Sequence, residues 1–185
     1  METPTTASIT PEQRFVVTLD EFLTFQEELF QELSTEGITD PSKGLTSIRP
    51  EAVSIAKALV LKYNPDKIIT AFCWCHEDWH MIKDHNTSFI GTMQTKFQDN
   101  GIPFDISILC IPFIAYDVIK SSKEWGDSPE EDLPVNKEDL EGIWSFIKSM
   151  VGITCSYIEQ KRQADSTYMP EIDLEKYKMM FCPGP

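Results

Sequence analysis

The chain has 185 residues, 41% hydrophobic and 11% aromatic, which is enough apolar material for one domain with a substantial core and too much for a disordered chain. Sixteen basic against thirty acidic side chains leave a net charge of −14. Such a surface repels phosphate backbones and anionic lipid headgroups, so neither direct nucleic-acid binding nor membrane binding is expected.

Residues 1–9, "METPTTASI", read as a loose segment rich in Thr and Pro, without the basic and apolar stretches of a secretory signal. Thr10-Pro11-Glu12-Gln13 then has the pattern of a helix start: a hydroxyl cap, proline at the first helical position and Gln three residues on. Thr18-Leu19-Asp20-Glu21 offers a second such start, followed by Leu19, Phe22, Leu23, Leu29, Phe30 and Leu33 on a 3.6-residue period. Gly37 is a helix stop. Pro50 opens another helix with an apolar face of Val53, Ile55, Ala56, Leu59, Val60 and Tyr63, and Asn64-Pro65 is read as its end.

"KIITAFCWC", residues 67–75, is short, β-branched and aromatic, and reads as a strand buried on both faces. Asn86-Thr87-Ser88 caps a helix with Phe89, Ile90, Met93 and Phe97 inside, ended by Asn100-Gly101. "FDISILCI", residues 104–111, alternates Phe104, Ile106, Ile108 and Cys110 with polar neighbours and reads as a second strand. Strand, helix and strand at this spacing predict a βαβ unit with a right-handed crossover. Residues 124–141 carry eight acids and one lysine, half the net charge of the molecule. Asn136 caps a long helix, expected over 137–161, with Leu140, Ile143, Trp144, Ile147, Val151, Thr154, Cys155 and Ile158 on one face. The expected architecture is therefore a single α/β domain over residues 10–162. Its small, at least partly parallel sheet is flanked by amphipathic helices. Residues 163–185 form a tail that either docks on the core or waits for a partner.

Chemistry concentrates in "CWCHEDWHMIKDH", residues 73–85, which holds all three histidines of the chain. His76-Glu77-Asp78-Trp79-His80 spells H-E-x-x-H. On a helix this pattern puts two zinc ligands on one face and a general base, Glu77, beside the bound water. His85 lies nine residues after His76 and supplies a third candidate ligand. Against a zinc site stand the strand expected immediately before the motif, the charged Asp78 inside it and a spacing to His85 one short of the three-histidine pattern. The zinc peptidases that this pentapeptide resembles usually carry uncharged residues there; the resemblance spans five residues and no fold signature. The favoured expectation is strand geometry running through His76 into a solvated turn, with Trp74 and Trp79 covering the sheet edge.

Five cysteines, an odd number in apolar surroundings, make no disulfide framework and suit a reducing compartment, so a cytoplasmic location is expected. No glycine-rich phosphate loop occurs. These features favour a non-catalytic, protein-binding role (regulatory, adaptor or inhibitor) with a protein partner of basic charge and no cofactor. Glu130, Glu131 and Asp132 of the acidic loop, and Tyr177, Met179 and Phe181 of the tail, are the candidate contacts. The alternative is a metal-dependent hydrolase with zinc on His76, His80 and His85 and Glu77 as base.

Overall fold

The computed structural model describes residues 9–103 and 105–181; residues 1–8 of the expected loose segment, Phe104 of the expected second strand and the last four residues of the tail lie outside them. The elements are all helical: α1 (Pro11–Thr35), α2 (Pro50–Val60), α3 (Pro65–Cys73), α4 (His80–Lys83), α5 (Ser88–Asp99), α6 (Ile111–Ser121), α7 (Lys137–Ala164) and α8 (Leu174–Phe181). Short 3-10 turns at Pro41–Lys43, His76–Asp78, Ile106–Cys110 and Glu130–Asp132 join them. Among the described residues the β-pairing is one isolated antiparallel bridge, Asp40 to Leu45. The expected α/β fold with a parallel sheet and βαβ crossover is therefore corrected to a helical one.

The reason lies in two segments. Residues 67–75 belong mostly to α3, where the Asn64 side chain accepts from the Asp66 N–H and Pro65 occupies the first turn. Asn64-Pro65 thus starts a helix rather than ending one. Helix α3 is wrapped by α1, α5 and α7, and Ile68, Ile69, Ala71, Phe72 and Cys73 are all fully buried. A short helix enclosed on most sides shows the same unbroken apolar run as a two-faced buried strand, so periodicity cannot separate them. Its one polar interior side chain is satisfied locally, Thr70 Oγ1 donating to the Asp66 carbonyl at 2.6 Å. Residues 106–110 wind as a 3-10 turn with Ile106 and Leu109 buried, a spacing of three that the alternation of Ile106, Ile108 and Cys110 conceals.

The caps behave as their residue types dictate. Thr10 and Gln13 exchange both capping-box bonds at the start of α1. Thr18, read as a second start, is instead interior to that helix. Gly37 ends α1 at φ +66°; its N–H bonds the Ser34 carbonyl while Ile38 N–H reaches Leu33 O, a closure that favours glycine because a Cβ is crowded in the left-handed region. Asn136 and Asp139 form a second capping box at the head of α7.

Helix α7 is the spine of the molecule and packs on α1, α3, α4 and α8. It buries Ile143, Trp144, Ile147, Met150, Val151, Thr154, Cys155, Tyr157 and Ile158. Phe72 anchors the aromatic centre, 5.2 Å from Phe15, 5.9 Å from Trp79 and 6.0 Å from Phe89 between ring centroids. The tail docks: Arg162 donates to the carbonyls of Tyr168, Met169 and Ile172, fixing the loop before α8, and Leu174 and Tyr177 of α8 are buried. No helix among the described residues is long and apolar enough to cross a membrane.

Candidate functional site

The histidine stretch folds as a hooked helical connection, not as the strand end and solvated turn expected. The 3-10 bonds Asp78 N–H to Cys75 O and Trp79 N–H to His76 O close its first turn. Three residues per turn stack His76 over Trp79 and leave His80 rotated by about a third of a turn, whereas the metal-binding form of H-E-x-x-H needs both histidines on one α-helical face. His76 is buried and its carbonyl accepts the Tyr177 hydroxyl at 2.7 Å. His80 is exposed and its Nδ1 donates to the Glu77 carbonyl at 3.0 Å. Glu77 is exposed. Trp79 is fully buried, whereas Trp74 is 41% exposed, so the two do not cover a common edge. Among the described residues no group of three or more His, Cys, Asp or Glu side chains is placed to hold a metal ion.

His85 is separated from the other two. It follows α4 at φ +53°, the left-handed position that glycine usually occupies. Asn86 N–H reaching back to Met81 O closes that turn. The backbone swings the imidazole away from His80 and onto Trp144 of α7, 5.2 Å between centroids and 9° from parallel. Lys148 Nζ donates to His85 Nε2 at 3.2 Å. Burial, and then the Lys148 charge, hold the His85 pKa below the usual histidine value, which matches an imidazole acting as acceptor.

Burial drives the pKa values of Cys73 and Cys75 far above the ordinary thiol range, so the reactive thiolate is suppressed.

What the fold does assemble lies at the start of α7. Glu130, Glu131, Asn136, Lys137, Glu138 and Glu141 line an open groove of about 490 Å³. Through Lys137 and Glu141 it continues into a recess of about 250 Å³ floored by His85, Phe113, Leu140 and Trp144. Four carboxylates thus rim the groove, and one of them, Glu141, also borders the aromatic hollow beside it. Glu130 is also a structural member of this rim. Its Oε1 accepts the Tyr116 hydroxyl at 2.8 Å and pairs with Lys120 Nζ at 3.4 Å, and its Oε2 accepts Lys137 N–H at 3.3 Å. The Tyr116 hydrogen bond is the largest influence lowering the Glu130 pKa. Glu131 and Asp132 are exposed.

The tail residues divide by role. Tyr177 is spent on the core, Met179 is 75% exposed, and Phe181 is half-buried at the edge of a different groove. Sequence reading passed over Glu141, Phe113 and Leu140 as site residues and took Trp144 only as core. The one available signal was that the acid run continues past the Asn136 cap, so Glu138 and Glu141, three apart, share a helix face. No family model, curated protein or solved structure matches this chain.

Proposed function

We propose that this protein is a non-catalytic protein-binding module, regulatory or adaptor in kind, whose acidic groove at the head of α7 receives a basic segment of a protein partner. The observation that carries this reading is the continuity of the groove rimmed by Glu130, Glu131, Glu138 and Glu141 with the aromatic recess at Phe113 and Trp144. A lysine or arginine stem is apolar along its length and charged at its end, which fits such a surface. Rim charges act mainly by steering and register. Each exposed pair contributes about 0.2–1 kcal/mol, so losing three weakens binding by roughly three-fold to a hundred-fold.

The test titrates a fluorescent Arg/Lys-rich peptide against the wild type, against Glu131→Gln/Glu138→Gln/Glu141→Gln, and against the charge-matched control Glu12→Gln/Glu28→Gln/Glu36→Gln. The groove variant should lose affinity, chiefly through slower association, and the control should not. Equal losses in both variants would reduce the effect to net charge, and binding indifferent to salt would refute the electrostatic reading.

A further inference from the structure

A second recess has the opposite character. Arg14 and Thr18 of α1 face Lys148, Ser149, Ile153 and Ser156 of α7 across a groove of about 510 Å³, closed at one end by Phe181 of α8. None of the described residues lining it is acidic, in a chain of net charge −14. Arg49, Lys57, Lys120, Lys161 and Lys178 pair with carboxylates, while several lysines on other faces make no ion pair with a described residue. Arg14 makes no ion pair with a described residue, and Lys148 bonds only the uncharged acceptor His85 Nε2. Two cations and the hydroxyls of Thr18 and Ser149 therefore line one open space without a counter-ion from the described residues, while the Ser156 hydroxyl donates to the Gly152 carbonyl at 3.4 Å.

The groove does not end there. Gly152, Ser156 and Phe181 are shared with a narrower slot of about 250 Å³ between α7 and α8. Its other walls are Val151, Cys155, Tyr177 and Lys178, the last paired with Glu159. A cationic, hydroxyl-bearing mouth thus opens onto a mainly apolar slot. Few ligand classes need both at once, and a single-chain amphiphilic anion does.

We propose that the α1–α7–α8 groove binds a free medium-chain carboxylate. The carboxylate lies between Arg14 and Lys148, with Thr18 and Ser149 as further donors. The alkyl chain enters the slot past Gly152 and Phe181. The net negative charge of the molecule does not forbid this, because fields from carboxylates beyond roughly 8–10 Å are screened at physiological ionic strength while the two cations act at contact. The mouth shares no lining residue with the acidic groove; Lys148, through its bond to His85, is the one link between it and the aromatic recess, and neither reading depends on the other.

The test is calorimetric titration of the full chain with dodecanoate below its critical micelle concentration, alongside dodecan-1-ol (tail without charge) and acetate (charge without tail). Dodecanoate should bind saturably at one site, with the alcohol and acetate each at least ten-fold weaker. Arg14→Gln/Lys148→Gln, whose parent side chains are exposed and half-buried, should lose at least ten-fold for dodecanoate and leave the alcohol unchanged, with circular dichroism confirming the fold. Phe181→Ala should weaken dodecanoate and the alcohol alike. Several weak sites, equal affinity for the alcohol, or an Arg14/Lys148 variant that binds dodecanoate like the wild type would each overturn the proposal.

Discussion

Replacing Tyr177 separates the two ways in which the C-terminal helix is held. In Tyr177→Phe the loss is the hydroxyl that donates to the His76 carbonyl at 2.7 Å. That carbonyl keeps the Trp79 N–H at 3.2 Å, so it is not orphaned, and the cost should be that of one net hydrogen bond, about 0.5–1.5 kcal/mol. In Tyr177→Ala the ring goes as well. It is 6% exposed and stands edge-on to the Trp79 ring, 4.9 Å between centroids and 84° apart. Lost burial and the hole left against Trp79 bring the cost to about 3–5 kcal/mol, of which the aromatic pair itself supplies about 0.5–1.5 kcal/mol. Helix α8 has eight residues, too few to persist undocked. The loss should therefore show in denaturant unfolding followed by tryptophan fluorescence, or, where α8 opens on its own, in amide exchange across 174–181. The order expected is wild type, Tyr177→Phe, Tyr177→Ala, from most to least stable. If neither measurement moves by about 1 kcal/mol in Tyr177→Ala, the docking of α8 on the histidine stretch is wrong.

Glu130 offers a pH test. Its pKa is lowered in the folded state, first by the Tyr116 hydroxyl, so the stability it adds is fully present above the ordinary glutamate pKa and drains away as pH falls through the depressed folded value. Melting temperatures of the wild type and Glu130→Gln should differ most near neutrality and converge as pH falls below the glutamate range; a gap that stays constant with pH would mean that the carboxylate charge has no part. The Tyr116 hydroxyl, pushed up to about 12 by burial and then by Glu130, remains a donor throughout. Cys73 and Cys75, both buried with raised pKa, should react with a thiol reagent near pH 8 only after unfolding, read by mass spectrometry of the labelled peptides. Rapid labelling of either in the native protein would contradict their placement in the core.

Much of the helical framework was legible without coordinates, because its signals are local. The Thr10 and Asn136 caps, the stops at Gly37 and Gly101, and the apolar periods of α1, α5 and α7 depend only on residues within a turn of one another. The burial of Trp144 and Ile147 followed from that period alone. The α3 segment was not legible, because the feature that decides it is what surrounds it. The β-branched Ile68, Ile69 and Thr70 suit either backbone, and only packing between α1, α5 and α7 selects the helix. The directions of the histidines were hidden for a related reason: a 3-10 turn and one left-handed residue, His85, set them, and spacing in the sequence carries neither. The two grooves lay further still from view. Arg14 and Lys148 face each other because α1 packs along α7. Trp144 meets Phe113 and His85 because α6 and the end of α4 converge on one turn of α7. Caps and periods are free-energy terms within one element, which composition and order determine; side chains brought together from distant elements owe their meeting to the packing of the whole core.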